Sequence, residues 1–129
     1  MTKLTRAQLI DMVESRYFGN VDAKRLDATL ACFRPGATLG VQTANVMHGG
    51  EAAIRRMFAD FFGSTRTIHH GDYSHVVDVE GQCIASQFVA RNVYDDGRKV
   101  EIRNCNFFVL EDGRFARVTI YMSGANPLV

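Results

Sequence analysis

The amino-acid sequence predicts an α+β fold, in which helices of the N-terminal half cover a curved antiparallel sheet built by the C-terminal half. The main observation is a series of four long stretches with strand character, separated by short gaps that each contain a glycine. Glycine supplies the positive φ of a tight reversal, and short links join only antiparallel neighbours. Helices segregated from strands in this way argue against a parallel α/β sheet. The predicted strands are Thr67–Val79, Cys83–Tyr94, Arg98–Leu110 and Arg114–Met122.

Apolar residues at helical spacing predict three helices before this sheet. Thr5 is a good N-cap for the first helix, because its hydroxyl can accept a hydrogen bond from a free backbone N–H. Gly19 and Asn20 are expected to end that helix, and Pro35 follows the end of the second. The second helix is predicted at Asp22–Phe33 and the third at Glu51–Phe62, with a short hairpin of Ala37–Val41 and Asn45–His48 between them.

The composition is typical of a globular protein and argues against several classes of partner. The chain has 129 residues, of which 47% are hydrophobic, so we expect one domain that spans residues 1–129. The 15 basic and 14 acidic residues are spread along the chain, which argues against a nucleic-acid or membrane partner. The sequence shows neither a secretory leader nor an apolar run of the ~20 residues that a membrane span needs. We therefore expect a cytoplasmic protein, with its three separated cysteines reduced.

Alternation along the strand Arg98–Leu110 predicts an apolar inner face with two amides in its middle. Successive side chains of a strand point to opposite faces of the sheet. The odd positions begin with charged residues, whereas the even positions are mostly apolar and include Asn104 and Asn106. A buried amide without a partner costs about 1–3 kcal/mol. The two asparagines are therefore expected to bond to each other, to backbone or to buried water, or to bind a ligand oxygen in a pocket, and both can hold at once.

Several motifs follow one another in a characteristic order: Tyr17-Phe18, Leu26-Asp27-Ala28, Phe33-Arg34-Pro35-Gly36-Ala37-Thr38, His48-Gly49-Gly50-Glu51-Ala52-Ala53-Ile54-Arg55-Arg56-Met57-Phe58, and Phe107-Phe108-Val109-Leu110-Glu111-Asp112-Gly113-Arg114-Phe115. Their order and spacing resemble the SnoaL-like polyketide cyclases and ketosteroid isomerases of the nuclear transport factor 2-like superfamily. The resemblance covers nearly the whole chain. It implies a cystatin-like cone, in which a curved antiparallel sheet of four long strands plus a short hairpin is wrapped by three N-terminal helices around an internal pocket.

The same resemblance implies which side chains line that pocket. On the strand Cys83–Tyr94 two alternating sets compete for the inner face, and the resemblance favours the odd positions, which include Gln87. The expected ligand is small and hydrophobic, similar to a polyketide or a steroid. The predicted ligand-binding residues are Tyr17, Val41, Phe58, Gln87, Val89, Val118, Ile120 and Met122.

His69 and Asn104 are candidate catalytic residues. The stretch Arg66-Thr67-Ile68-His69 resembles the surroundings of one active-site histidine in the scytalone dehydratases, and Asn104 falls at an active-site asparagine of those enzymes. A histidine can take up and return a proton near neutral pH. The second active-site histidine of that family corresponds here to Gln87, so the match is partial.

Asn106 is the third candidate, through a resemblance to the ketosteroid isomerases. Tyr17 matches the oxyanion-hole tyrosine of those enzymes, and Asn106 falls near their protonated aspartic acid and can still donate a hydrogen bond. Gly40 and Val41 stand where the aspartate base is expected, and neither can move a proton. The resemblance therefore implies part of a polarising site without its base.

Other chemistry has little support in the sequence. His69 and His75 would lie about 20 Å apart along one strand at ~3.3 Å per residue, which is too far to share a metal ion. The sequence contains no nucleotide-binding or serine-hydrolase signature, so no cofactor and no metal are expected. His48, His70 and His75 are interpreted as surface or interface residues, and Cys105 as a packing residue.

Two hypotheses from different classes follow. In the first, the protein is a cofactor-independent enzyme that abstracts a proton next to a carbonyl, in an isomerisation, cyclisation or dehydration, with His69 as the general acid or base. In the second, it is a non-catalytic ligand-binding or assembly module. That module would form a homodimer through the outer face of the sheet, where Arg103, Cys105, Phe107 and Val109 pass from charged to apolar. A partner subunit of an oxygenase is a related alternative.

Overall fold

A six-stranded mixed sheet forms the centre of the computed structural model, which describes residues 3–124 and 127–128. Its strands are β1 (Phe33–Val41), β2 (Val46–Gly49), β3 (Thr65–Asp78), β4 (Cys83–Tyr94), β5 (Lys99–Glu111) and β6 (Arg114–Met122). They lie in the order β2-β1-β6-β5-β4-β3. The meander of four long antiparallel strands is confirmed. The short hairpin joins it through a parallel pairing of β1 with β6, so the sheet is mixed rather than wholly antiparallel.

Residues 6–22 form one continuous helical segment whose apolar side packs on the inner face of the sheet. The segment consists of α1 (Arg6–Asp11), a π-helical stretch (Met12–Phe18) and α2 (Gly19–Asp22). Thr5 caps it as predicted, in a reciprocal pair of hydrogen bonds with Gln8. The predicted end at Gly19-Asn20 is wrong, because Gly19 has a helical φ of −57° and its N–H bonds to the Glu14 carbonyl. The helix therefore continues to Asp22.

The second predicted helix is reduced to α3 (Leu26–Leu30). Lys24 has a φ of +56°, which interrupts the chain before α3. Phe33 already belongs to β1, opposite Phe115, and the two ring centroids lie 5.5 Å apart. Burial of Phe33 in this aromatic contact outweighs its helical spacing with Leu30, since tertiary packing overrides weak local propensity. The third predicted helix is confirmed as α4 (Glu51–Ser64), and none of the described helices has the length and apolar character that crossing a bilayer requires.

Strand parity sets the inner face of the sheet. On β5 the even-numbered residues are buried, as predicted, and their partners on β4 are also even-numbered. The inner face of β4 therefore carries Ser86 and Phe88, whereas Gln87 is exposed. The predicted inward position of Gln87 is wrong, because the register of β4 against β5 pairs Gln87 with the outward-facing Cys105.

A β-bulge reverses the parity of β3 in the middle of the strand. Gly71 lies opposite Val89, and the next regular pair joins Ser74 to Gln87, so two residues of β3 face one residue of β4. Asp72 adopts a φ of +57° within the bulge. The extra residue shifts the period-two pattern by one position. Ile68 and His70 face inward before the bulge, and Tyr73, His75 and Val77 face inward after it.

Candidate active site

A small cavity lies between the inner face of the sheet and the helices. Its volume is about 30 Å³, enough for one or two water molecules. Most of its wall is apolar or aromatic, and the polar lining is one histidine, one tyrosine and three asparagines. The lining residues are Tyr17, Phe18, Val21, Phe58, Phe61, His70, Phe88, Ala90, Asn92, Ile102, Asn104, Asn106, Ile120, Met122, Pro127 and Leu128.

His70 is the histidine that lines the cavity, and Asp22 at the end of the N-terminal helix holds it in place. The Nδ1 atom of His70 lies 2.5 Å from Oδ1 of Asp22, and the backbone N–H of His70 donates to Oδ2 at 2.9 Å. An ionised carboxylate only accepts hydrogen bonds, so Nδ1 carries the proton of the ring. The other nitrogen, Nε2, has no hydrogen-bond partner among the described residues and keeps its lone pair. The arrangement can accept a proton from a molecule in the cavity.

Two aromatic rings fix the plane of this imidazole. The ring of Phe18 stacks on His70 with a centroid separation of 4.3 Å, and Phe88 approaches its edge at 5.4 Å. The side chain of His70 is only 8% exposed. Packing and the carboxylate together restrict the ring to one orientation, which general acid–base chemistry requires.

His69, the histidine that was predicted to be catalytic, is exposed on the outer face of the sheet. The prediction of His69 as a pocket residue agrees with its odd parity, which it shares with Tyr73 and His75, and those two residues do face inward. It failed because the bulge at Gly71 and Asp72 separates His69 from those residues and reverses the parity between them. The neighbouring histidine therefore occupies the inward position, and the interpretation of His70 as a surface residue is corrected as well.

Asn104 and Asn106 line the cavity, as strand parity predicted, and Asn92 on β4 joins them. All three side chains are buried, and the Oδ1 atom of each lacks a hydrogen-bond partner among the described residues. Buried amide oxygens without partners are uncommon in folded proteins. The cavity thus presents amide groups that are free to bind the oxygen or hydroxyl groups of a guest molecule.

Tyr17 reaches the cavity from the π-helical stretch and is enclosed by aromatic rings. Phe108 and Phe115 meet its ring edge-on, at centroid separations of 5.7 and 5.2 Å. Burial raises the pKa of the Tyr17 phenol well above its usual value, and the neighbouring Cys32 and Tyr73 raise it further. Tyr17 therefore stays protonated and can act as a hydrogen-bond donor.

The remaining predicted ligand-binding residues divide into two groups. Phe58, Ile120 and Met122 line the cavity with Tyr17. Val41 and Val118 are buried in the core but are not part of the cavity wall, although Val41 pairs with the cavity residue Ile120. Val89 shares the outer parity of Gln87, so neither can touch a molecule in the cavity. These four assignments are corrected.

A second histidine–carboxylate pair lies on the same two elements. The Nε2 atom of His75 is 2.6 Å from Oε2 of Glu14, and its Nδ1 is 2.7 Å from Oγ of Ser86. The His75 ring also stacks on Tyr73, with a centroid separation of 5.6 Å. Because Ser86 is completely buried and none of these residues lines the cavity, the network ties the N-terminal helix to β3 and β4. The prediction of His75 as a surface residue is wrong.

Among the polar residues of the site, sequence reasoning missed His70 and Asn92 on the cavity wall and Asp22, which holds His70 from behind. The contact between Asp22 and His70 joins positions 48 residues apart, and no local pattern marks it. Asn92 had a usable signal, since it has the same parity as Phe88 on β4. Among the described residues, no three His, Cys, Asp or Glu side chains converge in the way that a metal ion requires.

Comparison with known proteins finds similarity in both sequence and fold. The sequence model of the SnoaL-like domain family matches residues 15–118 of this chain. No curated protein sequence matches the chain.

Three solved structures illustrate the likeness in fold. A candidate polyketide cyclase from Xanthomonas campestris pv. campestris is 23% identical, with a TM-score of 0.79 over 90% of each chain. SalBIII, an epoxide hydrolase/cyclase-like enzyme of pyran ring formation in polyether salinomycin, is 21% identical, with a TM-score of 0.77 over 91% of this chain and 92% of that chain. PrhC from Penicillium brasilianum is 14% identical, with a TM-score of 0.82 over 93% and 83%. These likenesses confirm the cone-shaped α+β fold that the sequence predicted.

Proposed function

This chain belongs to the SnoaL-like domain family, and from that premise we propose that it is a cofactor-independent enzyme that moves a proton on a small, mostly apolar carbonyl or hydroxyl compound. The proposed reaction is an isomerisation, a cyclisation or a dehydration. The observation that carries the proposal is the pairing of His70 with Asp22 at the wall of a cavity that is otherwise apolar or uncharged.

His70 is the proposed general base. Its Nε2 atom takes a proton from the carbon next to a substrate carbonyl, and the electron pair of the broken C–H bond moves onto the carbonyl oxygen. The imidazolium then returns the proton to the substrate at a different atom or to a leaving hydroxyl. Asp22 supports both steps, because its carboxylate keeps Nδ1 protonated and stabilises the charged ring.

Asn104, Asn106 and Tyr17 are proposed to bind the oxygen atoms of the substrate. The amides offer N–H donors to a carbonyl or enolate oxygen, and their Oδ1 atoms can accept from a hydroxyl. Tyr17 adds a protonated phenol. The apolar and aromatic remainder of the wall favours a neutral ligand, which agrees with the polyketide-like chemistry in the names of the structural neighbours.

Hydrogen–deuterium exchange of small ketones tests this proposal. Cyclohexanone and 2-tetralone exchange their α-hydrogens in D₂O whenever a base abstracts them, and ¹H NMR follows the loss of signal. We expect the protein to accelerate this exchange, and His70→Ala to lower the rate by about 10²–10⁴-fold, the usual contribution of a general base. His69→Ala is the matched control, because the neighbouring histidine is exposed and should leave the rate unchanged. Exchange that is equally fast with His70→Ala would contradict the proposal.

We also propose that the chain forms a homodimer through the outer face of the sheet. Phe107 is 41% exposed and Tyr121 47% exposed, and Val76 lies in the same cross-strand row as Phe107. Apolar side chains grouped on one strand face favour a covered surface. Sedimentation velocity should give a dimer for the wild type and a monomer for Phe107→Glu. A wild type that sediments as a monomer at every concentration would exclude this interface.

A further inference from the structure

The cavity is too small for the ligands that it is proposed to bind. Pockets for small molecules usually have volumes of about 300–1,000 Å³, whereas this cavity has a volume of about 30 Å³. A groove of about 310 Å³ lies on the outer surface beside it, lined by Met47, His48, Ala53, Arg56, Met57, Asp60 and Pro127. Pro127 lines both spaces. It therefore stands in the partition between the inner cavity and the outer groove.

The segment that forms this partition follows the last strand of the sheet. Leu128 packs against the hydrophobic core and lines the cavity, and its backbone carbonyl lies 2.9 Å from Nε2 of His48 on β2. Gly124 has a φ of +73°, a conformation that favours glycine, between the end of β6 and the partition. Residues 127 and 128 thus lie over the cavity, and His48 contacts Leu128 from outside.

The other walls of the cavity are less able to give way. Its sheet wall is held by the hydrogen-bonded ladders that pair β3 to β6, and the aromatic side chains of α4 that line it, Phe58 and Phe61, are part of the core. Backbone ladders and interdigitated cores do not open locally without loss of many contacts. The segment 127–128 contributes two residues to the wall and lies at its surface.

We propose that residues 127–128 form a gate that closes the cavity, with His48 as its latch, and that opening it joins the cavity to the outer groove. The inference rests on the proposed function in so far as it treats this cavity as the substrate site. The combined space takes a neutral apolar ligand, whose polar end meets His70 and the asparagines. Ligand affinity is then reduced by the fraction of molecules that are open at any moment.

Fluorescence titration with N-phenyl-1-naphthylamine, a neutral apolar dye, tests the gate. Leu128→Asp should bind the dye at least about 10-fold more tightly than the wild type, because a charged side chain disfavours the closed position and raises the open fraction. His48→Ala leaves Leu128 in place and should strengthen binding by a smaller factor. It also keeps the test decisive if Leu128→Asp lowers the melting temperature strongly. If the wild type, Leu128→Asp and His48→Ala bind the dye with equal affinity, the proposal of a gate is wrong.

Two further variants locate the bound dye. Adding Ala90→Phe to Leu128→Asp fills the cavity from β4 and should cancel the gain in affinity, since Ala90 lines the cavity but not the groove. A gain that survives Ala90→Phe would mean that the dye stays outside, and the gate would be wrong. Val79→Asp, on the far end of the sheet, is the matched control for an added charge and should leave binding unchanged. Dye binding needs no proton transfer, so failure of the gate and failure of the proposed catalysis give separate results.

Discussion

The Nδ1 atom of His70 and the Oδ1 atom of Asp22 lie 2.5 Å apart, although 48 positions separate the two residues in the chain. The contact joins the end of the N-terminal helix to an edge strand of the sheet. Asp22 also accepts from the backbone N–H of His70. The orientation of the imidazole therefore depends on the position of the helix against the sheet. Substitution of Asp22 tests this dependence.

Asp22→Asn is expected to lower the ketone exchange rate by about 10²–10⁴-fold with little change in melting temperature. An amide can keep the Nδ1 contact by donating through its NH₂ group, but that favours the ring tautomer whose proton is on Nε2, where the base needs a lone pair. Exchange kinetics and thermal melts measure the two effects. Asp72→Asn, an exposed change in the bulge, serves as the control, and an unchanged rate in Asp22→Asn would refute the role of the carboxylate.

Asn106→Leu is expected to stabilise the protein while it weakens the site. The Oδ1 atom of Asn106 is buried without a described partner, so an apolar side chain removes a desolvation cost of about 1–3 kcal/mol. Urea unfolding should show a gain of about 1 kcal/mol, and the ketone exchange rate should fall at least about tenfold. A loss of stability would instead identify Asn106 as a structural residue.

Ser86→Ala is expected to destabilise the fold without affecting the chemistry. The change removes the partner of His75 Nδ1 in a buried position, which costs about 1–3 kcal/mol. Urea unfolding measures this loss, and the ketone exchange rate should stay within about twofold, because Ser86 does not line the cavity. Ser74→Ala, an exposed serine on β3, should change stability by less than about 0.5 kcal/mol. A large drop in exchange with unchanged stability would assign the His75 network to catalysis.

The fold is expected to lose stability in alkaline solution in two stages. Burial raises the pKa of Cys32 from 9.0 to about 11, although Arg16 lowers it, and burial raises the pKa of Tyr17 and Tyr73 above 10.0. A group whose pKa is raised by folding stabilises the native state below its unfolded pKa, and that contribution is lost as the pH rises through the folded pKa.

The free energy of unfolding should therefore begin to fall near pH 9, by up to about 1.4 kcal/mol per pH unit for Cys32, and fall more steeply above pH 10 as the tyrosines add their share. Urea unfolding between pH 8 and 11 measures this dependence. Cys32→Ala should make the fall between pH 9 and 10 shallower, with the remainder due to Cys83, whose pKa burial also raises, whereas Cys105→Ala, an exposed thiol, should not. If the fall in the free energy of unfolding near pH 9 is unchanged in Cys32→Ala, folding does not raise the pKa of the Cys32 thiol.

The sequence alone predicted most of the sheet, because its signals are local. Alternation and glycine-containing gaps identified β3 to β6 to within two residues at each end, and parity placed Asn104 and Asn106 on the inner face. The helices were less predictable. Phe33 has the spacing expected for the apolar face of a helix. In the structure its ring packs instead against Phe115, a residue far away in the chain.

The site was harder to predict than the fold, since it depends on two features without a local pattern. Parity counting assumes an unbroken strand, and the bulge beside Gly71 breaks β3 between the two inward histidines. Gly71 was a signal, because an isolated glycine inside a strand often marks a bulge. Asp22 carried none, because its role comes from a helix that runs through Gly19 instead of stopping there.

The extra residue in β3 also affects how functional residues can be transferred between this protein and its relatives. An insertion of one residue normally counts as a minor difference in length, but inside a strand it exchanges the two faces for everything on one side of it. A gap-free alignment with a relative that lacks the insertion pairs each inward residue with an outward one. In this chain such an error would be concealed, because His69 and His70 are adjacent and the aligned column would still contain a histidine. Transfer of functional residues along this strand therefore needs structural superposition. An aligned histidine alone does not identify the general base.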